Sequence, residues 1–218
     1  MNKMDEVIAC TAASIVNNYV PYPICRTLYR HLDVITQERV AKRRGDVEND
    51  PNWKQLIPYG IITQESEVSE MSVLTYSRTT AGGESRLHNL RSIGFGGHMR
   101  RNESVLDCIK RELNEELKYI DGKWSDVVKD SCLNNFEYFW TINDNSTPVN
   151  SVHFGMVMFI EADLDRIVIN EDALADIKPL TMSELYTQID QYEPWSQMLI
   201  KEWRDYDYLA QYNKERNK

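Results

Sequence analysis

The sequence predicts a mixed α/β sandwich: strands before and after one amphipathic helix, with further helices closing the chain. Three observations predict it. Short apolar, β-branched runs bounded by turn residues recur at 56–62, 71–76 and 152–161. Leu106, Ile109, Leu113 and Leu117 repeat at helical spacing. Leu185, Ile189, Trp195, Leu199 and Trp203 then supply core contacts for C-terminal helices.

In chain order, residues 5–16 carry Val7, Ile8, Ile15 and Val16 and are expected to form a strand. Pro21 and Pro23 punctuate the chain. Residues 24–44 are expected to be helical, with Ile24, Leu28, Leu32 and Ile35 at helical spacing, and 44–51 to form a polar loop. Residues 1–54 are thus expected to form an N-terminal extension packed on a main domain of 55–218. The strands at 56–62 and 71–76 are joined by an acidic turn, and a loop follows at 79–84. Residues 91–95 form a short strand that runs into Gly96 and Gly97, and a helix occupies 103–117. Asp121-Gly122 marks a turn. Residues 134–142 and 152–161 form a long hairpin around a polar loop.

A chain of 218 residues that is 42% hydrophobic and 27% charged buries enough surface to fold without staples. No apolar run approaches the roughly 20 residues needed to span a membrane. The N-terminus lacks the charge pattern of a secretory signal, so a cytoplasmic protein is expected. Cysteines 10, 25, 108 and 132 form no C-x-x-C pair and are expected as free thiols. The net charge of −9 disfavours long nucleic acid as a partner. It leaves room for a small phosphate ester, because a bound divalent cation reverses the local sign.

The chemistry concentrates between Gly97 and Leu117. On a helix Glu112, Glu115 and Glu116 share one side, beside the apolar stripe. Asp107, Asn114 and Lys118 fall toward solvent. Three adjacent carboxylates raise one another's pKa. A hard divalent cation relieves that repulsion, and Mg²⁺ prefers oxygen ligands of this kind.

The spacing resembles the Nudix box: G, five residues, E, seven residues, then R-E-U-x-E-E-x-G-U, with U aliphatic. Gly97, Glu103, Arg111, Glu112, Leu113, Glu115 and Glu116 match seven of its nine specified positions. Lys118 and Tyr119 depart from it, standing where the box has its last glycine and its last aliphatic residue. Without that glycine the helix is expected to end differently, running on toward Asp121-Gly122. The segments at 54–59, 83–88 and 92–98 are similar to a Nudix subgroup of predicted phosphoesterases that carry an N-terminal extension.

The resemblance implies an α+β fold, an α/β/α sandwich around a mixed sheet. It implies that Glu112, Glu115, Glu116 and the Gly97 carbonyl ligate Mg²⁺, with Mn²⁺ as a substitute. Arg111 would orient the glutamates and Glu103 would hold Arg111. Water would attack phosphorus, with Glu115 or Glu116 polarising it. Glu137, Glu161 and Glu171 are further candidates for the general base. His98 and Arg100, at the helix entry, and Arg86 are candidate phosphate contacts. His88, Tyr59, Phe95 and Cys108 are expected to serve packing and local hydrogen bonding.

The leading function is hydrolysis of a phosphoanhydride bond in a nucleoside diphosphate derivative. A non-catalytic nucleotide sensor is the alternative. Prenyl diphosphate isomerisation would need a cysteine-centred acid/base site with no counterpart here, and messenger-RNA cap removal fits the negative charge poorly. The partner is a small nucleotide-type molecule, and a homodimer is the expectation for the fold.

Overall fold

The computed structural model describes residues 2–21, 23–65, 70–80, 89–128 and 138–204. Its strands are β1 (Val7–Ala12), β2 (Ile24–Leu28), β3 (Val40–Arg43), β4 (Trp53–Gln64), β5 (Ser72–Arg78), β6 (Arg91–Ser92), β7 (Gly94–Gly96), β8 (Leu117–Tyr119), β9 (Tyr138–Ile142), β10 (His153–Glu161), β11 (Ile167–Ile169) and β12 (Leu174–Thr181). Helices are α1 (Ala13–Tyr19), α2 (Tyr29–Gln37), α3 (Arg44–Val47), α4 (Val105–Glu116), α5 (Trp124–Val127), α6 (Met182–Thr187) and α7, described over 194–204. Among the described residues no helix is long and apolar enough to cross a membrane.

The mixed sheet follows the order β12-β5-β4-β10-β9-β2. Ten of its twelve β4 residues are buried, because β4 is covered on both faces. One edge of β4 pairs in parallel with β10 along its length, from Gln55↔His153 to Thr63↔Glu161. The other edge is shared in succession by β1 near Gln55, β7 near Gly60 and β5 near Thr63. This relay brings β7, and with it the Gly96-Gly97 turn, to the middle of the sheet.

Strand alternation sorts the core onto two faces. Ile62, Leu74, Tyr76 and Phe95 pack against Leu106, Ile109 and Leu113 of α4 and against Leu117 just beyond it. Ile57, Tyr59, Ile61 and Val73 pack against Leu185, Trp195, Leu199 and Ile200 of the C-terminal helices. The sandwich is therefore helix, sheet, helix.

Several expectations need correction. The strand at 5–16 stops at Ala12, and α1 takes over to bury Val16. Residues 24–44 are a strand, a helix and a second strand. Ile24 and Leu28 lie four apart, a spacing that a strand satisfies as well as a helix does, and β2 pairs with β9. The loop at 44–51 opens with the single-turn α3. The C-terminal region contains β11 and β12 as well as helices. The α4 helix does not run on: it ends at Glu116, and Leu117 is already extended (φ −133°, ψ 153°). The chain passes straight into β8, which pairs with β11 through Leu117↔Ile169 and Tyr119↔Ile167. A helix that leaves directly into a strand needs no left-handed glycine at 118. The 134–142 strand is described from Tyr138, where it forms the expected hairpin with β10. Within the first 54 residues, β1 pairs with β4 and β2 pairs with β9, so this segment contributes strands to the main sheet.

Candidate active site on the box helix

The helix that carries the carboxylates is fixed firmly at its start. Ser104 accepts from the Asp107 N–H while the Asp107 carboxylate accepts from Ser104, a reciprocal cap that sets the helix origin. Leu106, Ile109 and Leu113 then anchor α4 on the sheet.

Arg111 organises the outer half of the site. Its Nε donates to Glu103 Oε1 (2.6 Å) and its Nη2 to Glu103 Oε2 (3.0 Å), a bidentate pair. Nη2 also donates to the His98 carbonyl (3.0 Å), and Nη1 to Glu112 Oε1 (2.6 Å). Burial opposes the Glu103 charge, yet Arg111 and the Arg100 N–H hold its carboxyl below the usual range. Burial likewise disfavours the Arg111 cation, and the two glutamates overcome that and keep it charged.

The three box glutamates are graded from solvent to core. Glu115 is half exposed and reaches Arg111 (3.5 Å) and Arg100 (3.7 Å). Glu112 is largely buried against Gly97. A Cβ on Gly97 would sit 2.6 Å from Glu112 Oε1, so only glycine leaves that carboxylate its place. Gly96 has φ +155°, and a Cβ there would come within 2.1 Å of the Pro58 carbonyl. Glu116 is 9% exposed, and its Oε2 is buried with no hydrogen-bond partner among the described residues. Burial pushes its carboxyl up to about 8; Arg78 opposes this, Glu112 and Glu171 add to it, and the Gly96 N–H pulls it down. Burial also raises Glu112, against the pull of Arg111.

Among the described residues no three carboxylate, imidazole or thiol side chains converge into a preformed metal cage. Glu112 and Glu115 are held by arginines while Glu116 lies deeper. Such an arrangement still suits Mg²⁺, which keeps several waters and is commonly held by one or two carboxylates plus substrate phosphate. The orphaned Glu116 oxygen and the glycine-lined cradle at Glu112 fit a hard cation.

The remaining sequence candidates fall as follows. The His98 ring pairs with His153, Nε2 to Nε2 at 3.2 Å, and His153 Nδ1 donates to the Val149 carbonyl. Burial, with Arg44 nearby, keeps His98 well below its ordinary pKa. Arg100 bridges Glu6 (3.1 Å) and Glu115 at the outer rim. Glu161 is an exposed strand residue at the end of β10, opposite Thr63. Glu171 lies near the carboxylates: the adjoining Asn170 donates its N–H to the Glu116 carbonyl (2.9 Å), and the Glu171 charge is felt by Glu116. Cys108 is buried, with its thiol pushed up by burial, and Tyr59 and Phe95 are core residues. Arg86, His88, Glu137 and Cys132 lie outside the described residues. Arg78 was not foreseen. It stands two residues past Tyr76 on β5, so strand alternation puts both on the α4 face.

No protein-family model matches the chain. Protein YmaB of Bacillus subtilis (strain 168) is 37% identical over 169 residues, which span 72% of this chain and 75% of that protein. Among solved structures, Tm1382, a candidate Nudix hydrolase, superposes with a TM-score of 0.67 at 20% identity, covering 90% of this chain and 97% of that one. The Nudix domain of Shewanella oneidensis NrtR, complexed with ADP ribose, is more distant, with a TM-score of 0.46 at 14% identity over 70% of this chain and 87% of that one. The likeness to Tm1382 establishes the fold, and the likeness to YmaB the nearer kinship. The chain therefore belongs to one family with YmaB, and it has the fold of Tm1382.

Proposed function

We propose that this protein hydrolyses a phosphoanhydride bond in a nucleoside diphosphate derivative, with Mg²⁺ as its cation and Mn²⁺ as a substitute. One observation carries the reading: Glu116 is a buried carboxylate with an unpartnered oxygen, flanked by a second buried carboxylate and a glycine cradle. A buried ionised group without a partner is costly, and a cation together with substrate phosphate is the complement that offsets the cost. Glu112, Glu115, Glu116 and the Gly97 carbonyl would hold the cation. When bound, it supplies Lewis-acid stabilisation of the phosphoryl oxygens and lowers the pKa of water.

The chain's own residues do the rest. Arg111, locked by Glu103 and the His98 carbonyl, holds Glu112 in position. Asn170 ties the loop that follows β11 to the end of α4 through the carbonyls of Glu116, Asn114 and Glu115. That fixes Glu171 beside the carboxylates, where it takes the proton of the attacking water and, being exposed, releases it to solvent. Glu115 and Glu116 polarise that water. Arg100 at the rim draws in the anionic substrate.

The test is a hydrolysis screen of purified protein with Mg²⁺ against nucleoside diphosphate derivatives, dinucleoside polyphosphates and nucleotide sugars, read by mass spectrometry. Turnover of one compound, lowered at least a hundredfold in Glu116→Gln and slowed in Glu171→Gln, is the expected result. Tight binding of one compound without turnover would replace the hydrolase with a nucleotide sensor.

A further inference from the structure

The α4 face of the sheet carries a second buried polar atom without a hydrogen-bond partner among the described residues. The Arg78 Nε is sealed from solvent and makes no hydrogen bond among the described residues. Among the described residues no ion pair is formed by its guanidinium, and its nearest ring, Tyr76, lies 5.4 Å from Cζ. The backbone around it is fixed: the Arg78 N–H donates to the Leu90 carbonyl (2.9 Å), and its carbonyl accepts from the Asn89 N–H (2.9 Å). The side chain is thus held at the end of β5 by its ladder, over the same face that receives Leu113 and Leu117.

Arg78 and Glu116 are of opposite sign, and no ion pair at 4 Å or closer joins them. The neighbouring Thr79 donates its N–H to the Ala173 carbonyl (2.9 Å) and its hydroxyl to the Asp172 carbonyl (2.8 Å), in the loop that the Asn170 N–H ties to the Glu116 carbonyl (2.9 Å), so the end of β5 lies beside the carboxylate site. Glu193, on the other side of the sheet, also attracts Arg78, but its oxygens are taken by Tyr59, Ser196 and backbone N–H groups. Two buried groups of opposite sign on one sheet face, each with an atom that lacks a hydrogen-bond partner among the described residues, call for a guest with both signs. A cation–phosphate pair has them: positive toward Glu116, negative toward Arg78. A guanidinium also matches a phosphate in shape, offering parallel N–H groups to two oxygens.

We propose that Arg78 is a substrate-binding residue that grips the diphosphate beside Glu116. This rests on the hydrolase reading above and names the group that recognises the phosphates. The alternative is that Arg78 serves only as counter-charge for Glu116 and Glu193.

The two separate by binding measurements. Mn²⁺ binding to the full chain would be followed by electron paramagnetic resonance, and binding of α,β-methylene ADP to the Mn²⁺-loaded protein by calorimetry. In Arg78→Gln, Mn²⁺ binding should be retained while the dissociation constant for the analogue rises roughly tenfold to a hundredfold, as for a lost hydrogen bond to a charged group. Arg78→Lys, which keeps the charge but not the fork, should fall between and carries the test if Arg78→Gln does not fold. Unchanged affinity for the analogue in either folded variant overturns the proposal. So does a loss of Mn²⁺ binding in proportion to the analogue, which marks Arg78 as mere counter-charge. A native chain that binds no Mn²⁺ sinks the hydrolase reading itself. Binding of Mn²⁺ and analogue by native chain and variants alike overturns Arg78 alone.

Discussion

Glu116 and Glu193 are both glutamates buried in this molecule, on opposite faces of one sheet, at 9% and 5% exposure. Glu193 is saturated. Its Oε1 accepts from the Tyr59 hydroxyl (2.7 Å), the Ser196 hydroxyl (2.7 Å) and the Ser196 N–H (3.1 Å), and its Oε2 from the Trp195 N–H (2.9 Å). Glu116 has an oxygen that accepts no hydrogen bond among the described residues. Burial alone therefore does not mark a functional carboxylate. Glu193 staples α7 to β4 and β6, and a fully paired buried group of this kind is structure. Glu116 is incomplete among the described residues, and the proposed cation and substrate would complete it.

The sharpest break of this comparison is a pair of substitutions. Glu116→Gln should lower turnover by about 10²–10³, the scale seen when one electrostatic element of a catalytic site is removed, while the protein stays folded. Glu193→Ala should do the reverse. It strands two hydroxyls and two N–H groups in the core and should cost about 3 kcal/mol in denaturant unfolding, with the Mn²⁺ affinity of the folded fraction intact. If Glu193→Ala abolished Mn²⁺ binding in folded protein, the division between the two glutamates would be wrong.

Arg111 tests the satisfied half of the site itself. Its partners Glu103 and Glu112 are 16% and 12% exposed at the side chain. Arg111→Ala leaves both without their cation, and breaking a largely buried pair this way costs about 3 kcal/mol. The expected result is a lowered urea midpoint even in excess EDTA. Instability confined to cation-containing buffer would mean that Arg111 only organises ligands.

Much of this frame was legible in the residues. The spacing from Gly97 through Glu103 and Arg111 to Glu116 encodes one helix with a bound loop, and that spacing survives as the Arg111 lattice. The gradation among the three glutamates was not legible. Glu112, Glu115 and Glu116 share a helix side, but which one enters the core depends on where the Gly96-Gly97 turn sits over α4. Glu171 and Arg78 were hidden for a similar reason. Their approach to Glu116 depends on long-range pairings, β8 with β11 and β5 with β12, that no local period reports. The one local clue for Arg78 was its alternation with Tyr76.

A smaller perturbation probes the cradle. Gly97→Ala places a Cβ 2.6 Å from Glu112 Oε1. Displacing that carboxylate by a fraction of an ångström should slow turnover by roughly tenfold, with little change in unfolding midpoint. A variant with native turnover would show that the Glu112 position is not critical.

The smallest effect is also the most direct reading of the incomplete group. With the cation absent, burial pushes the Glu116 carboxyl up to about 8 when folded, against an ordinary value near 4.5. Between those values the native state holds a proton that the unfolded chain has released, so stability must fall as pH rises. The slope cannot exceed about 1.4 kcal/mol per pH unit for one group. His98 and His153 act in the opposite sense: burial lowers both below 6.5, so they add stability as pH rises toward that value and nothing above it. Glu112, raised in the same direction as Glu116, adds to the fall, so the native chain must be compared with Glu116→Gln. From pH 6.5 to 8, unfolding in EDTA should show a decline that is reduced in Glu116→Gln and by saturating Mg²⁺. The cation favours the ionised carboxylate, which cancels the penalty that the proton otherwise relieves. An equal decline in the native chain and in Glu116→Gln would mean that the Glu116 oxygen already has its partner.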